Sequence, residues 1–196
     1  PMVGLLAAFK DYQPFLGFFQ SPWVGLKHFA RFFGGDSFLR ILGNTLIISF
    51  LNLVFYFPAP IIMALLLNEV KNRFFKSGVQ SLICVPHFLS WVIIAGISYE
   101  LFTTEGGVIN VALQDLFGIE PVNFLGSEFW FRPLIIFQHI WKESGWGTII
   151  FLAALAGVDM EMYEAAKLDG ATRWQQIIYI TLPAIKTTVI TMLILQ

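Results

Sequence analysis

The chain has 196 residues, of which 57% are hydrophobic and only 13% charged, with a formal net charge of −1 and a mean hydropathy of +0.72. Soluble domains carry about 25% charged residues, so this composition excludes an ordinary soluble fold, and the charge balance gives no sign of a nucleic-acid surface or a polybasic lipid patch. The single cysteine, Cys84, excludes an intrachain disulfide.

Residues 1–9 are apolar but lack a basic leading region and a small-residue cleavage site. They read as the late part of a first spanning helix rather than a signal peptide. Residues 10–40 read as a loop rich in Phe, with Trp23 among them and breaks at Gly17, Pro22 and Gly25. Such rings suit the headgroup level of a membrane. Residues 41–68 and 77–99 are uncharged apart from their edges and exceed the ~20 residues that cross a bilayer core. They place one complete span at about 41–67, with a kink or unwinding predicted at Pro58 and Pro60, and a second at about 81–101, with Pro86 one turn in. Between them, 68–80 is a short polar loop carrying Lys71, Arg73 and Lys76. Residues 103–130 form a Gly- and Pro-containing acidic loop with a short helix near 108–116. A third span covers about 133–158, unusual for Lys142 and Glu143 within it and for Ala153, Ala154 and Gly157 at its end, small residues that let helices approach closely. The polar segment 159–182 joins it to a partial span at 183–196, where the sequence stops in apolar residues. The fold class is thus an all-α, polytopic membrane protein forming one transmembrane domain over 1–196.

The polar segment holds the most specific pattern. Glu164-Ala165-Ala166 is followed at fixed spacing by Gly170, Ile180, Leu182 and Pro183. This arrangement resembles the complete EAA signature of ABC-importer permeases. The resemblance extends through Trp141-Lys142-Glu143-Ser144-Gly145-Trp146 and Leu168-Asp169-Gly170-Ala171-Thr172. Upstream, Ala8-Phe9-Lys10-Asp11-Tyr12, Ser21-Pro22-Trp23-Val24-Gly25-Leu26 and Val85-Pro86-His87-Phe88-Leu89-Ser90-Trp91 look like the branch of maltose-permease-like carbohydrate permeases that takes up polysaccharide fragments such as alginate or rhamnogalacturonan pieces. Local chemistry agrees. Asp159 is placed to cap a helix over 160–168, and Gly170 to end it, before a second helix over 171–181 returns to the membrane. In the family this knuckle docks in an ATPase subunit, so the resemblance implies ATPase coupling through Glu164, Ala165, Ala166, Leu168, Asp169 and Gly170. It also implies a second homologous permease, two ATPase subunits, an external solute-binding protein, and a multi-pass location in a bacterial inner or plasma membrane. The excess of Lys and Arg barely orients the chain. The shortness of 68–80 and the acidity of 103–130 favour placing 68–80 and 159–182 on the cytoplasmic side, with 10–40 and 103–130 outside.

No phosphate-binding Gly-x-x-x-x-Gly-Lys-Ser/Thr loop occurs, so ATP and Mg are expected on the partner ATPase, with no cofactor and no catalysis in this chain. His28, His87 and His139 lack metal-ligand spacing. On the third span, His139, Lys142, Glu143 and Trp146 fall at spacings that share one helix face. Polar groups beside an indole suit a sugar, and in the related maltose permease the helix before the EAA loop supplies substrate contacts. These four residues are therefore the candidate oligosaccharide pathway, although packing of Lys142 and Glu143 against neighbouring helices would equally explain them. Other solutes remain compatible with the EAA pattern. An ion-coupled transporter would use Lys142 and Glu143 as a coupling pair, and an intramembrane enzyme would have only Glu100, His87 and His139 as acid-base groups.

Overall fold

The computed structural model describes residues 2–196, and the first residue of the apolar start predicted over 1–9 lies outside them. The described chain is almost entirely helical, and its one β-type pairing is the isolated bridge between Lys10 and Trp23. It forms two compact units, Pro1–Ser49 and Phe50–Gln196.

In the first unit, short turns at Met2–Leu5, Leu6–Phe9 and Gly17–Gln20 precede α1 (Lys27–Phe33). The predicted aromatic loop is therefore folded. Phe9 stacks on Trp23 at 5.8 Å and meets Phe29 at 5.3 Å. The Lys10 ammonium donates to the carbonyls of Phe18 and Phe19 at 2.9 and 3.2 Å. Buried Ser21 donates to Gly17 O and accepts from Gln13 N. Phe15 and Phe19 remain fully or almost fully exposed.

The longest apolar helix runs over Ser37–Glu69, 33 residues, and is long and apolar enough to cross a membrane. It comprises α2 (Asp36–Leu51), a π-turn at Asn52–Tyr56 and α3 (Pro58–Glu69). The local unwinding expected at Pro58 and Pro60 thus sits one turn earlier. Proline cannot donate to the preceding carbonyls, and the chain widens before Pro58, with Phe57 N–H donating to Asn52 O at 3.0 Å.

The second predicted span is where the structure departs most from a straight helix. α4 starts at Arg73 and ends at Cys84, so most of the predicted 68–80 loop is helical. Asn72 begins it by accepting from the Phe74 and Phe75 amides. A 3-10 turn, Val85–Phe88, follows, and α5 (Trp91–Phe102) leaves at 99° to the preceding segment. The physical reason is local: Pro86 lacks a donor, and Ser90 Oγ accepts from Ile93 N at 3.3 Å, starting a new helix.

The acidic loop contains α6 (Val108–Phe117), ended by Gly118 at φ +64. Buried Asn110 closes the loop: its amide donates to Thr103 O and Val122 O and accepts from Val122 N, all within 3.0 Å. α7 (Glu128–Ala156) is 29 residues long and begins before the predicted 133, with Pro133 inside it. It has the length of a span, but Lys142, Glu143 and Ser144 sit in its middle, and by apolarity it does not qualify alone. After it come α8 (Met160–Leu168), the single turn α9 (Arg173–Gln176), a π-turn at Ile177–Thr181 and α10 (Leu182–Leu195). The predicted 171–181 helix is thus shorter and wider than expected. The segments Arg173–Ala184 and Lys186–Leu195 are bent by 59°, so the bend falls within α10.

The core of this unit lies where α7 meets α3 and α10, through Ala64, Leu67, Phe151, Leu152, Leu155 and Ile185. Two glycines set the spacing. A Cβ on Gly145 would overlap the carbonyl of Ile83 at the end of α4, and one on Gly147 would come within 2.9 Å of the Pro60 ring. Close approach of this kind replaces the hydrophobic driving force that lipid does not supply between helices. Gly145→Ala is therefore predicted to lower the melting temperature of the detergent-solubilised complex, by overpacking worth about 1–3 kcal/mol. Gly96→Ala, where nothing lies within 4 Å, should leave it near that of the unmodified protein.

Candidate functional site

The middle of α7 gathers a polar cluster inside the bundle. Lys142 is buried, at 6% exposure. Its ammonium donates to the carbonyl of His87 at 2.8 Å, pairs with Glu143 Oε1 at 3.0 Å and lies 5.5 Å from the Trp91 ring centre. An ammonium in an apolar interior is costly unless paired and hydrogen-bonded. Here it donates to a carbonyl at the break between α4 and α5. Glu143 Oε2 accepts from His87 Nδ1 at 2.7 Å, and the imidazole stacks on Trp146 at 5.0 Å with planes only 8° apart. The break, not the helix, thus organises this cluster.

His139 is held separately. Its Nδ1 donates to Asn52 Oδ1 at 2.7 Å, at the π-turn, and its ring stacks on Tyr56 at 4.2 Å. The π-turn therefore presents an amide and a phenol ring to α7. Farther along, Gln138 Nε2 donates to Ser98 Oγ at 2.8 Å. A cavity of about 300 Å³ opens beside this face, bounded by Tyr56, His139, Glu143, Gly147, Phe151 and Met192. The residues from α7 fall at intervals of four, one stripe of the helix.

Of the four predicted pathway residues, His139 and Glu143 reach this cavity, whereas Lys142 turns into the protein and Trp146 is half exposed beside His87. The sequence spacing places all four on one broad face, but side-chain partners divide them. Tyr56, Asn52 and His87 join the cluster without having been singled out as pathway residues. The available signals were the prolines that disturb both helices carrying them, at 58, 60 and 86. Among the described residues no group of His, Cys, Asp and Glu is arranged to hold a metal.

The knuckle is built from local code. Asp159 accepts from Glu161 N at 2.9 Å and starts α8. At its end Gly170, at φ +79, lets the Gly170 amide donate to Lys167 O and the Ala171 amide to Ala166 O, a Schellman closure that an L side chain would strain. Thr172 and Gln175 form a capping box at α9. Tyr163 Oη and Thr181 Oγ1 are 2.9 Å apart and tie the two arms together. Glu164, Ala165, Leu168, Asp169 and Gly170 are exposed, Leu168 by 90%, and Ala166 is half-buried. The corner is thus held by local bonds, with Leu168 almost fully exposed at its end.

Residues 56–196 match the family described as the binding-protein-dependent transport system inner membrane component. Over its whole length the chain is 55% identical to the polygalacturonan/rhamnogalacturonan transport system permease protein YteP of Bacillus subtilis, covering 61% of it. It is 54% identical to the protein LplB of the same organism, again covering 61%. It superposes, with a TM-score of 0.90 and 42% identity, on a chain of a bacterial ABC transporter involved in import of the acidic polysaccharide alginate, covering all of this chain and 64% of that one. The chain thus spans about three fifths of the length of the relatives it matches. With the EAA spacing, the helical bundle and these likenesses together, the chain belongs to the binding-protein-dependent transport system inner membrane component family.

Proposed function

We propose that this chain is the membrane-spanning permease portion of an ATP-driven importer that passes oligosaccharides inward by alternating access. The observation that carries the reading is the pairing of a rigid, exposed EAA knuckle with an intramembrane cavity on the same helix system: α7 runs from the cavity stripe at His139 and Glu143 to the start of α8. Further support comes from relatives whose names concern polygalacturonan, rhamnogalacturonan and alginate, and from a related transporter solved with an alginate pentasaccharide-bound periplasmic protein.

In this reading two ATPase subunits hold ATP and Mg, a second homologous permease completes the pathway, and a solute-binding protein docks on the outer side at 10–40 and 103–130. The chain itself carries no cofactor and lies in a bacterial cell membrane as a multi-pass protein. ATP draws the ATPase subunits together and the knuckle moves with them. Because Tyr163–Thr181 and both caps stiffen the corner, the motion passes to α7 and α10 instead of dissipating in the loop. Those helices bound the cavity through Phe151 and Met192, so their displacement opens it to one side and closes it to the other. Inside, the stacked Tyr56 and His139 rings and the Glu143 carboxylate offer an apolar face and hydrogen-bond partners, the two needs of a pyranose. Lys142 and Glu143 are already satisfied within the chain, which leaves no free ion-coupling pair.

Vanadate-sensitive sugar uptake by the reconstituted importer, dependent on a separate ATPase subunit, tests the whole reading; ATP-independent uptake driven by an ion gradient would refute it. Gly170→Val forces a β-branched residue into the left-handed region, costing about 1–2 kcal/mol, and Glu164→Lys reverses the exposed charge. Either should lower coupled uptake by about tenfold or more, the factor that 1.4 kcal/mol represents, with sugar affinity of the solute-binding protein unchanged. Full transport in both variants would remove the knuckle from coupling. His139→Ala, which removes a cavity wall, and Trp146→Ala, which removes the stacking support of the His87 that holds Glu143, made separately, should depress sugar uptake while subunit assembly and basal ATP hydrolysis persist. Normal uptake in both would take this face out of the route.

A further inference from the structure

A second cavity, of about 330 Å³, lies between the knuckle and the end of α3 with the residues that follow it, Asn68 to Lys71. It abuts Glu69, the last residue of the apolar helix Ser37–Glu69; on the membrane-spanning reading proposed above, on which this inference rests, that helix end lies toward the membrane surface on the knuckle side. Its lining brings together Lys71, Lys167 and Arg173 from three separate segments, against the single carboxylate of Glu69. Arg173 pairs with Glu69 at 3.4 Å. Neither Lys71 nor Lys167 has an ion-pair partner among the described residues. The pocket therefore carries an excess of two positive charges at the membrane boundary, a feature invisible to the net charge of −1.

On α8, Met160, Tyr163 and Lys167 line this cavity at spacings of three and four, which share one side of the helix. Ala165 lies on the opposite side and Leu168 well away from the cavity face, and both are exposed. The pocket therefore lies away from Ala165 and Leu168 and borders the docking face only at Glu164, four residues from Met160 and three from Lys167. A concave site with unpaired ammonium groups at a span end, an apolar methionine and a tyrosine beside them fits an anionic headgroup whose acyl chains run along the adjacent span. We infer that the pocket formed by Lys71, Lys167 and Arg173 binds the phosphodiester headgroup of an anionic phospholipid from the leaflet on the knuckle side, bracing the knuckle against the bilayer.

The test uses the complete importer in nanodiscs of phosphatidylcholine with or without about one third phosphatidylglycerol, a fraction that keeps the surface anionic. Retained phosphatidylglycerol is counted by native mass spectrometry after detergent exchange, and melting temperature is recorded in parallel. The unmodified complex should retain phosphatidylglycerol and melt higher in the anionic discs. Lys71→Gln with Lys167→Gln should lose both effects, Lys71→Arg with Lys167→Arg should restore them, and Lys76→Gln, outside the pocket, should keep them. Lys71→Gln alone, at an exposed position outside any helix, guards against misfolding and should show a partial loss. Three outcomes would overturn the inference: unchanged lipid retention in the glutamine pair, equal stabilisation of phosphatidylcholine discs by inorganic phosphate, or loss of the ATPase subunit from the variants with lipid retention intact. The second would assign the pocket to a free anion and the third to a protein partner.

Discussion

The close approach of α7 to its neighbours at Gly145 and Gly147 sets the geometry on which the 50–196 unit depends. Without side chains at these positions, the end of α4 can lie against α7 at Ile83, and the Pro60 ring of α3 can pack against α7 at Gly147, two residues on and around the other side of the helix. In lipid, apolar surface gains little from burial against other apolar surface, so helix association rests on such tight packing and on internal hydrogen bonds. The remaining core residues, Ala64, Phe151, Leu152 and Ile185, fill the space that this approach defines.

The same approach makes a charged cluster tolerable inside the bundle. Where Pro86 breaks α4 from α5, carbonyls lose their helical donors, and in a membrane such groups must be satisfied by protein. Lys142 supplies a donor to the His87 carbonyl, Glu143 balances its charge, and His87 in turn donates to Glu143. Each member answers a need created by another. The π-turn at Asn52–Tyr56 is a second irregularity, and its part-buried Asn52 side chain accepts from His139. Irregular backbone at membrane depth occurs where it lines a cavity or is buried in protein, and the space next to Tyr56, His139 and Glu143 is such a place.

The knuckle obeys a different economy. Its shape comes from short-range rules: a carboxylate at the N-terminus of α8, glycine in the left-handed region at its end, and a capping box to restart the chain. These interactions involve residues a few positions apart, so the corner stays rigid independently of the distant helices. Its tie to the end of α3, Arg173 to Glu69, is an exposed pair and contributes little to stability by itself. Rigidity in the corner and exposure of Leu168 together suit a joint that transmits motion between molecules.

The sequence by itself determined the helical membrane class, the family and the knuckle. Apolar runs longer than a bilayer core and the EAA spacing are one-dimensional facts, and helix caps act within a few residues of where they are written. The sequence also marked Lys142 and Glu143 as out of place in a span, and Pro58 and Pro86 as points of disturbance. It could not say how the disturbance resolves. Pro86 and Ser90 break the 81–101 stretch locally, at 99°, but the donor for the carbonyl left at His87 comes from a lysine 55 residues away. Which of His139, Lys142, Glu143 and Trp146 reaches the cavity depends on partners from the π-turn at Asn52–Tyr56 and the 3-10 turn at Val85–Phe88. Likewise, Lys71, Lys167 and Arg173 form one basic pocket only because α3 ends beside α8. Such features join residues far apart in the chain, and only the packed helices bring them within reach of one another.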